Sequence, residues 1–445
     1  MKLGIDNLTC IDLFAGCGGL SLGLKQAGWS GVFAIERDRM AFETFSRNFL
    51  ETGAPYRGFT GWPAWLSKTN HDITSLLNDE DIRTHLKAIS GSVTLMAGGP
   101  PCQGFSIGGR RDGADERNTL PYHMLDMVDL VKPKIVLIEN VEGIIRRFVA
   151  RPGEASSSVA DNITYLLGTI GYKAFHTVLD SSLFGVPQTR RRVIIIGIRE
   201  CSLDIDHLRE AFIEKLCQSS ALVRGRLGLE EDRKVTAYEA LDDLCGGETV
   251  TCPDSDKFES SVYKPATSAY ARALRRETGD GSIPDSHRYS KHGERIQALY
   301  NLAHRTQAPG RLAKRFLREN GTKKDKKVLI DASSPVSTIT THPDEFIHYA
   351  EPRNITVREM ARLQSFPDDF HFLGRYTING PRRRHDVARC SQVGNAVPPL
   401  MAEGIGLAIR ELLQSLVLDT IPQTPRKNHA TQLVLKEILP CRTAA

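Results

Sequence analysis

The chain has 445 residues, 40% hydrophobic and 25% charged, with 58 Lys and Arg against 53 Asp and Glu for a net charge of +5. This globular composition excludes a disordered or fibrous chain, gives length enough for two domains, and leaves a nucleic-acid partner open without requiring one. The nine cysteines form no CxxC pair and no Cys/His set at zinc spacing, and neither a signal peptide nor a membrane span is visible, so a reduced, soluble, cytoplasmic protein without a metal is expected.

In chain order, the first half alternates β-rich runs with amphipathic ones. Strands are expected at 9–14, 31–35, 93–97, 135–139, 173–179 and 192–198, and helices at 21–27, 39–49, 122–131 and 158–170. Continuous apolar strands alternating with helices imply an α/β fold, a parallel sheet with helices on both faces. The rhythm fades after residue 200. Residues 200–330 are more polar, and between 305 and 327 nine Lys and Arg face only Glu319 and Asp325. That run is either a solvated surface or a phosphate-facing one. The pattern returns at 337–341, 356–365 and 399–415. A smaller domain, 201–330, is therefore expected within a discontinuous larger one, 1–200 with 331–425, and 426–445 as a tail.

The stretch CIDLFAGCGGLSLGL (10–24) closes a strand and opens a helix. Gly16, Gly18 and Gly19 allow a tight turn close to a ligand. The spacing is neither the dinucleotide GxGxxG nor a P-loop. Glu36 ends the second strand, where a carboxylate accepts ribose hydroxyls. Asp72 either ends the next strand or caps a helix. A glycine loop without phosphate-binding features, beside an acidic ribose clamp, fits S-adenosylmethionine.

GGPPCQGFS (98–106) follows another apolar strand. Pro100 and Pro101 restrict the backbone before Cys102 and Gly104 frees it after, more constraint than a packing cysteine needs. Glu139 ends a further apolar strand, where an unpaired carboxylate is costly. In QTRRR (188–192), alternation turns Gln188, Arg190 and Arg192 one way, toward Glu139, a phosphate or a substrate. Methyl transfer to a pyrimidine carbon wants this set. A thiolate at Cys102 adds to cytosine C6, Glu139 in protonated form holds the N3 edge, and the arginines orient the base and Glu139. On duplex DNA the base must first be flipped out.

These residues resemble the DNA (cytosine-5) methyltransferases of bacterial restriction–modification type. The carriers are DLFAGCGGLSLG (12–23), IERD (35–38), HDI (71–73), GGPPCQGFS, RNTL (117–120), ENVEG (139–143), QTRRR, REMARLQSFP (358–367) and GNAVPP (394–399), in family order. The resemblance implies a Rossmann-like methyltransferase sheet and a smaller target-recognition domain, with double-stranded DNA between them. It implies S-adenosylmethionine as cofactor and S-adenosylhomocysteine as product. Cofactor contacts are implied for Phe14, Ala15, Gly16, Gly18, Gly19, Leu20, Glu36, Arg37, Asp72, Ile73, Pro100, Leu120, Asn395, Ala396 and Val397. Substrate contacts are implied for Pro101, Gln103, Ser106, Asn140 and Gln188. A monomer acting beside an independent cognate restriction endonuclease is the implied setting.

Two stretches depart from the compact pattern. Residues 50–70 carry extra aromatic residues that either pack or touch substrate, and RRRHD (382–386) is either a DNA contact or a solvated loop. The alternatives to DNA methylation are a tRNA cytosine-5 methyltransferase of the same fold and a non-catalytic nucleic-acid-binding relative.

Overall fold

The computed structural model describes residues 8–101, 119–146, 157–230, 232–322, 326–342, 344–377 and 386–418. The elements run β1 (Thr9–Leu13), α1 (Gly19–Gln26), β2 (Ser30–Ile35), α2 (Arg39–Phe49), α3 (Ile73–Asn78), α4 (Glu80–Ala88), β3 (Leu95–Gly98), α5 (Leu120–Val131), β4 (Ile135–Val141), α6 (Val159–Thr169), β5 (Tyr172–Asp180), β6 (Gln188–Thr189), β7 (Arg191–Arg199) and α7 (Ile205–Arg226). Caps set several helix starts. Asp38 accepts from the Ala41 N–H ahead of α2, and Ser158 with Asp161 forms a capping box on α6.

Six strands form the main sheet in the order β2-β1-β3-β4-β7-β5. The four from β2 to β4 are parallel, as the apolar runs implied. β7 is not, because it runs antiparallel to both neighbours. Only residues 181–190 join β5 to β7, too few for the helical crossover that a parallel return needs. Strand alternation divides the core. Ile11, Leu13, Met96, Val136, Ile138, Val193 and Ile195 pack with α3 to α6 on one face. Cys10, Leu95, Leu137, Ile194 and Ile196 pack on the other with α1, α2, α7 and the C-terminal helix Pro399–Leu418.

The expected second domain does not begin at 201. Leu208, Phe212, Leu216 and Val223 of α7 sit in the large core, and so do Tyr263, Tyr270 and Leu274. Arg226 forms a two-pronged ion pair with buried Glu403 on the C-terminal helix. A separate apolar cluster is built instead from Leu299, Tyr300, Ala303, Leu312, Leu317, Leu329 and Ile347. Helix Glu294–Thr306 and a three-stranded sheet (Gly310–Arg311, Val328–Leu329, Phe346–Ile347) carry it. The part with its own core thus starts near 294 and passes 330. On it Arg305, Arg311, Lys314, Arg315, Arg318 and Lys326 are exposed. Lys327 is buried, its Nζ donating to Tyr300 Oη at 2.7 Å and Asp344 O at 2.8 Å.

The aromatic residues of 50–70 pack. Phe59 lies 5.2 Å from Phe45, Trp65 meets the Phe33 ring edge-on at 5.6 Å, and Tyr56 donates to Asp369. Of 382–386, only Asp386 lies within the described residues.

Candidate active site

The carboxyl ends of β1, β2, β3 and β4 meet along one edge of the sheet, and the loops there gather most of the expected residues. After β1 the backbone turns through positive φ at Phe14 (58°), Gly16 (57°) and Gly18 (102°). That conformation suits glycine, and Phe14 bears it with a side chain. A Cβ on Gly16 would meet nothing within 4 Å, so one side of the turn is open. A Cβ on Gly19 would stand 2.3 Å from Val397 O, so the loop and the Asn395–Val397 return touch backbone to backbone.

Glu36 closes this turn. Its Oε2 accepts from Gly16 N at 2.9 Å and its Oε1 from Asp38 N at 2.7 Å. Burial raises the carboxyl above the usual carboxylate range, and the two N–H donors oppose that rise. Each oxygen keeps a lone pair for a sugar hydroxyl. His71 N donates to Glu36 O at 2.8 Å, which brings residues 71–73 alongside. Asp72 is a helix cap here. Its Oδ1 accepts from Thr74 N at 2.8 Å, and Oδ2 lies 3.8 Å from the exposed Arg37 guanidinium. Leu20 and Ile73, expected at the cofactor, bury their side chains in the core and offer a ligand little beyond backbone groups. Ala15 and Val397 are buried too, while Phe14, Leu120 and Ala396 are half-buried and Asn395 is exposed.

At the end of β4, Glu139 accepts from Arg192 Nε at 3.0 Å, with both side chains about one-tenth exposed. β7 starts where β4 ends and runs the other way, so Arg192 pairs with Val141 and its side chain lies on the same sheet face as Glu139, two residues back. A Cβ on Gly99 would lie 3.3 Å from Glu139 Oε2, which sets the carboxylate against the turn leading to residue 102. Asn140 Nδ2 donates to Pro100 O at 2.8 Å and holds that turn to β4. Pro101 is half-buried; Cys102, Gln103 and Ser106 lie outside the described residues.

Arg190 and Gln188 do not join this group, contrary to the alternation argument. Arg190 is 2% exposed and donates to the carbonyls of Ile339, Gly394 and Ala396, each at 3.1 Å. It positions the segment around Asn395 and has no surface for a substrate. Gln188 is 0% exposed. Its amide donates to Leu363 O and to Gln364 Oε1 (2.7 Å), and its Oε1 accepts from Ile339 N (2.7 Å). The reason is local. Gln188 sits in the short strand β6, paired with Val336–Ser337, and only beyond it does the chain enter the main sheet.

Sequence reasoning missed two groups. Asp12, inside the apolar run of β1, is fully buried. Ser21 Oγ donates to its Oδ2 at 2.5 Å, and Oδ1 has no hydrogen-bond partner. Burial, with Glu36 nearby, raises its carboxyl to about 7. The second group surrounds helix Val357–Leu363. Arg358 binds Asp285 at 2.9 Å, Arg353 holds Glu359 with two bonds, and Arg362 bridges Asp243 and Asp368. Asp285 and Asp243 lie far from their arginines in sequence, and the six-residue separations of Arg353–Glu359 and Arg362–Asp368 match no helical period, so no spacing announces the group.

The family model for C-5 cytosine-specific DNA methylases matches residues 8–411, spanning the glycine loop, the Glu139–Arg192 pair and the Asn395 return. The chain belongs to this family. It is a DNA (cytosine-5) methyltransferase, and such an enzyme uses S-adenosylmethionine. It is similar to the type II methyltransferase M.DdeI of Desulfomicrobium norvegicum, 30% identical over 92% of this chain and 90% of that one. It is 29% identical to M1.HphI of Haemophilus parahaemolyticus over 91% of this chain and 87% of that one. Among solved structures, a prophage-encoded Escherichia coli protein assigned as a DNA modification methyltransferase superposes with a TM-score of 0.60, at 25% identity, covering 92% of this methylase and all of that chain. Dnmt2 of S. pombe shares the fold alone, with a TM-score of 0.52 at 17% identity over 92% of this chain and 99% of that one. Among the described residues of the methylase, no helix is long and apolar enough to cross a membrane.

Proposed function

We propose that this enzyme methylates one cytosine within a specific double-stranded DNA sequence, through addition of Cys102 to C6 of a flipped base, and that it protects DNA from a cognate restriction endonuclease. The observation that carries the reading is the Glu139–Arg192 pair, set at the sheet edge against the turn that leads into Cys102. The likeness to type II methyltransferases supports the protective role.

The donor set around the glycine loop fits S-adenosylmethionine. Glu36 would take the ribose hydroxyls. The Phe14–Gly19 backbone, open beside Gly16, would take the amino-acid part, with Asp72, Leu120 and Asn395–Val397 around it. When bound, the cofactor supplies an electrophilic methyl group on a sulfonium centre. The rest is the work of the chain. Flipping costs a few kcal/mol, offset by phosphate contacts, for which the exposed Arg305, Arg311, Lys314, Arg315, Arg318 and Lys326 are the basic strip. The Cys102 thiolate forms the C6–S bond, which makes C5 nucleophilic. Glu139, in protonated form, donates its proton to N3 and so takes up the developing charge, while Arg192 on the other oxygen holds it in place. Once C5 carries the methyl group, loss of the C5 proton to a base expels the thiolate, the N3 proton returns to Glu139, and the aromatic ring is restored.

A duplex carrying 5-fluorocytosine at the target site tests the mechanism, because fluorine cannot leave as the proton does. The expected result is a denaturation-resistant adduct mapped to Cys102, absent in Cys102→Ser although that variant still binds DNA. An active preparation that forms no adduct, or a Cys102→Ser enzyme that turns over, overturns it. Bisulfite mapping of a methylated plasmid library identifies the site, which the matching endonuclease should then fail to cut.

A further inference from the structure

Among residues with no assigned part in methyl transfer, three ligand-bearing side chains converge, His348 and Glu351 from one turn and Cys245 from far earlier in the chain. Cys245 Sγ, a ring nitrogen of His348 and a Glu351 oxygen all lie within 4.8 Å of one another. Cys245 is 9% exposed and His348 not at all. The thiol donates to Glu351 Oε1 at 3.2 Å, which also accepts from Gly246 N at 3.0 Å. His348 Nδ1 presents its lone pair to the backbone N–H groups of Ala350 and Glu351, at 3.1 and 3.2 Å. Its Nε2 is buried without a hydrogen-bond partner and points toward Glu359 Oε1, 3.8 Å away.

We propose that Cys245, His348 and Glu351 bind a thiophilic divalent cation of the zinc class. One sulfur, one imidazole and one carboxylate are the donors such an ion selects. A tetrahedral ion holds its ligand atoms roughly 3.3–3.8 Å apart, so side chains already within 4.8 Å must close by about 1 Å. Nδ1 is the coordinating nitrogen, and the ion displaces its two long amide contacts. Nε2–H then faces Glu359, the carboxylate–histidine–metal arrangement that orients ligating imidazoles.

Charge supports the assignment. The carboxylates of Glu351 and Glu359 share the Arg353 guanidinium, two negative charges against one positive in a buried setting. Binding releases the thiol proton to solvent, and a dication with a thiolate adds one positive charge, which brings the group to neutrality. A second imidazole stands close by. His304 Nε2 is buried without a partner, and His304 lines a cavity of about 310 Å³ with Ala350 and Pro352, the residues flanking Glu351. The ion would clasp the loop after Asp242–Leu244 to the turn carrying Arg353, and through Arg353–Glu359 to helix Val357–Leu363.

The test uses the full-length enzyme, purified without an affinity tag or chelator. Elemental analysis should find about one zinc per chain after dialysis. Replacing zinc with Co²⁺ should produce a thiolate-to-cobalt charge-transfer band in the near ultraviolet. Cys245→Ala should lose that band, and Glu351→Gln should retain at least tenfold less metal. Zinc should also raise the melting temperature of chelator-treated native enzyme. An enzyme that methylates DNA yet holds under about a tenth of an equivalent of zinc and gives no cobalt band, or a band that persists in Cys245→Ala, overturns the proposal. The native measurements decide it even if Cys245→Ala does not fold.

Discussion

Arg192 Nε lies 3.0 Å from Glu139 Oε1, where antiparallel β7 begins beside the end of β4. The strand reversal creates this pair, because a parallel β7 would bring its carboxyl end there instead. Arg192→Ala would leave a mostly buried carboxylate without its guanidinium, and the methyl-transfer rate should fall by roughly 10²-fold or more. Arg192→Lys keeps the charge but not the planar geometry and should fall less. Single-turnover methylation with DNA affinity measured in parallel checks this. A wild-type rate in Arg192→Ala would remove the pair from the catalytic machinery.

The contact between Gly19 and Val397 makes a second prediction. A methyl group at Gly19 would lie 2.3 Å from a backbone carbonyl, which cannot swing aside as a side chain can. Gly19→Ala should push the glycine loop from the Asn395 return and raise the cofactor KM about tenfold or more, since small misplacements at a site are costly. Gly61→Ala is the control, because a Cβ there meets nothing within 4 Å. Equal KM values for the two variants would mean that the loop–return contact does not shape the cofactor site.

What could be read from the sequence follows from where the information lies. Ile135–Glu139 is an apolar run ending in a carboxylate and Val93–Ala97 one that runs into the GGPPC turn, so the strands and Glu139 were legible. Glu36 was legible for the same reason. The direction of β7 was not, because periodicity carries no sense of direction. Helix α7 was hidden because its apolar residues are diluted by polar ones over 22 residues, and its burial depends on the C-terminal helix. Gln188 misled because alternation assigns a face without saying what covers it. Asp12 was invisible inside an apolar run, its partner Ser21 being supplied by the next helix.

Arg190 separates positioning from catalysis. Its guanidinium holds three carbonyls, two of them flanking Asn395. Arg190→Ala should destabilise the protein by about 2–4 kcal/mol through the carbonyls left unpaired. It should raise the cofactor KM more than it lowers kcat, the opposite of the pattern expected for Arg192. Arg190→Lys should rescue little, since a point charge cannot serve three diverging acceptors. Steady-state kinetics with cofactor varied, together with thermal melts, checks both parts; a kcat loss at unchanged KM would place Arg190 with the reacting base instead.

Asp12 provides the pH-dependent prediction. Its carboxyl rises to about 7 in the folded chain, with burial as the main cause and Glu36 adding to it, against Ser21, which lowers it. An unfolded aspartate titrates near ~3.9. Between these values the folded chain holds a proton that the unfolded chain has lost. The stability linked to Asp12 is therefore complete below about pH 4, falls as pH rises through about 7, and is flat above. The full difference is of the order of 4 kcal/mol for a shift of about three units. Asp12→Asn stays neutral at every pH, and its amide oxygen can still accept from Ser21. The variant should match the wild-type melting temperature near pH 4, exceed it increasingly through pH 5, 6 and 7, and keep a constant lead at pH 8. Parallel melts across that range are the measurement. A lead that does not grow with pH would mean Asp12 titrates near its ordinary value and that its buried Oδ1 is solvated in solution.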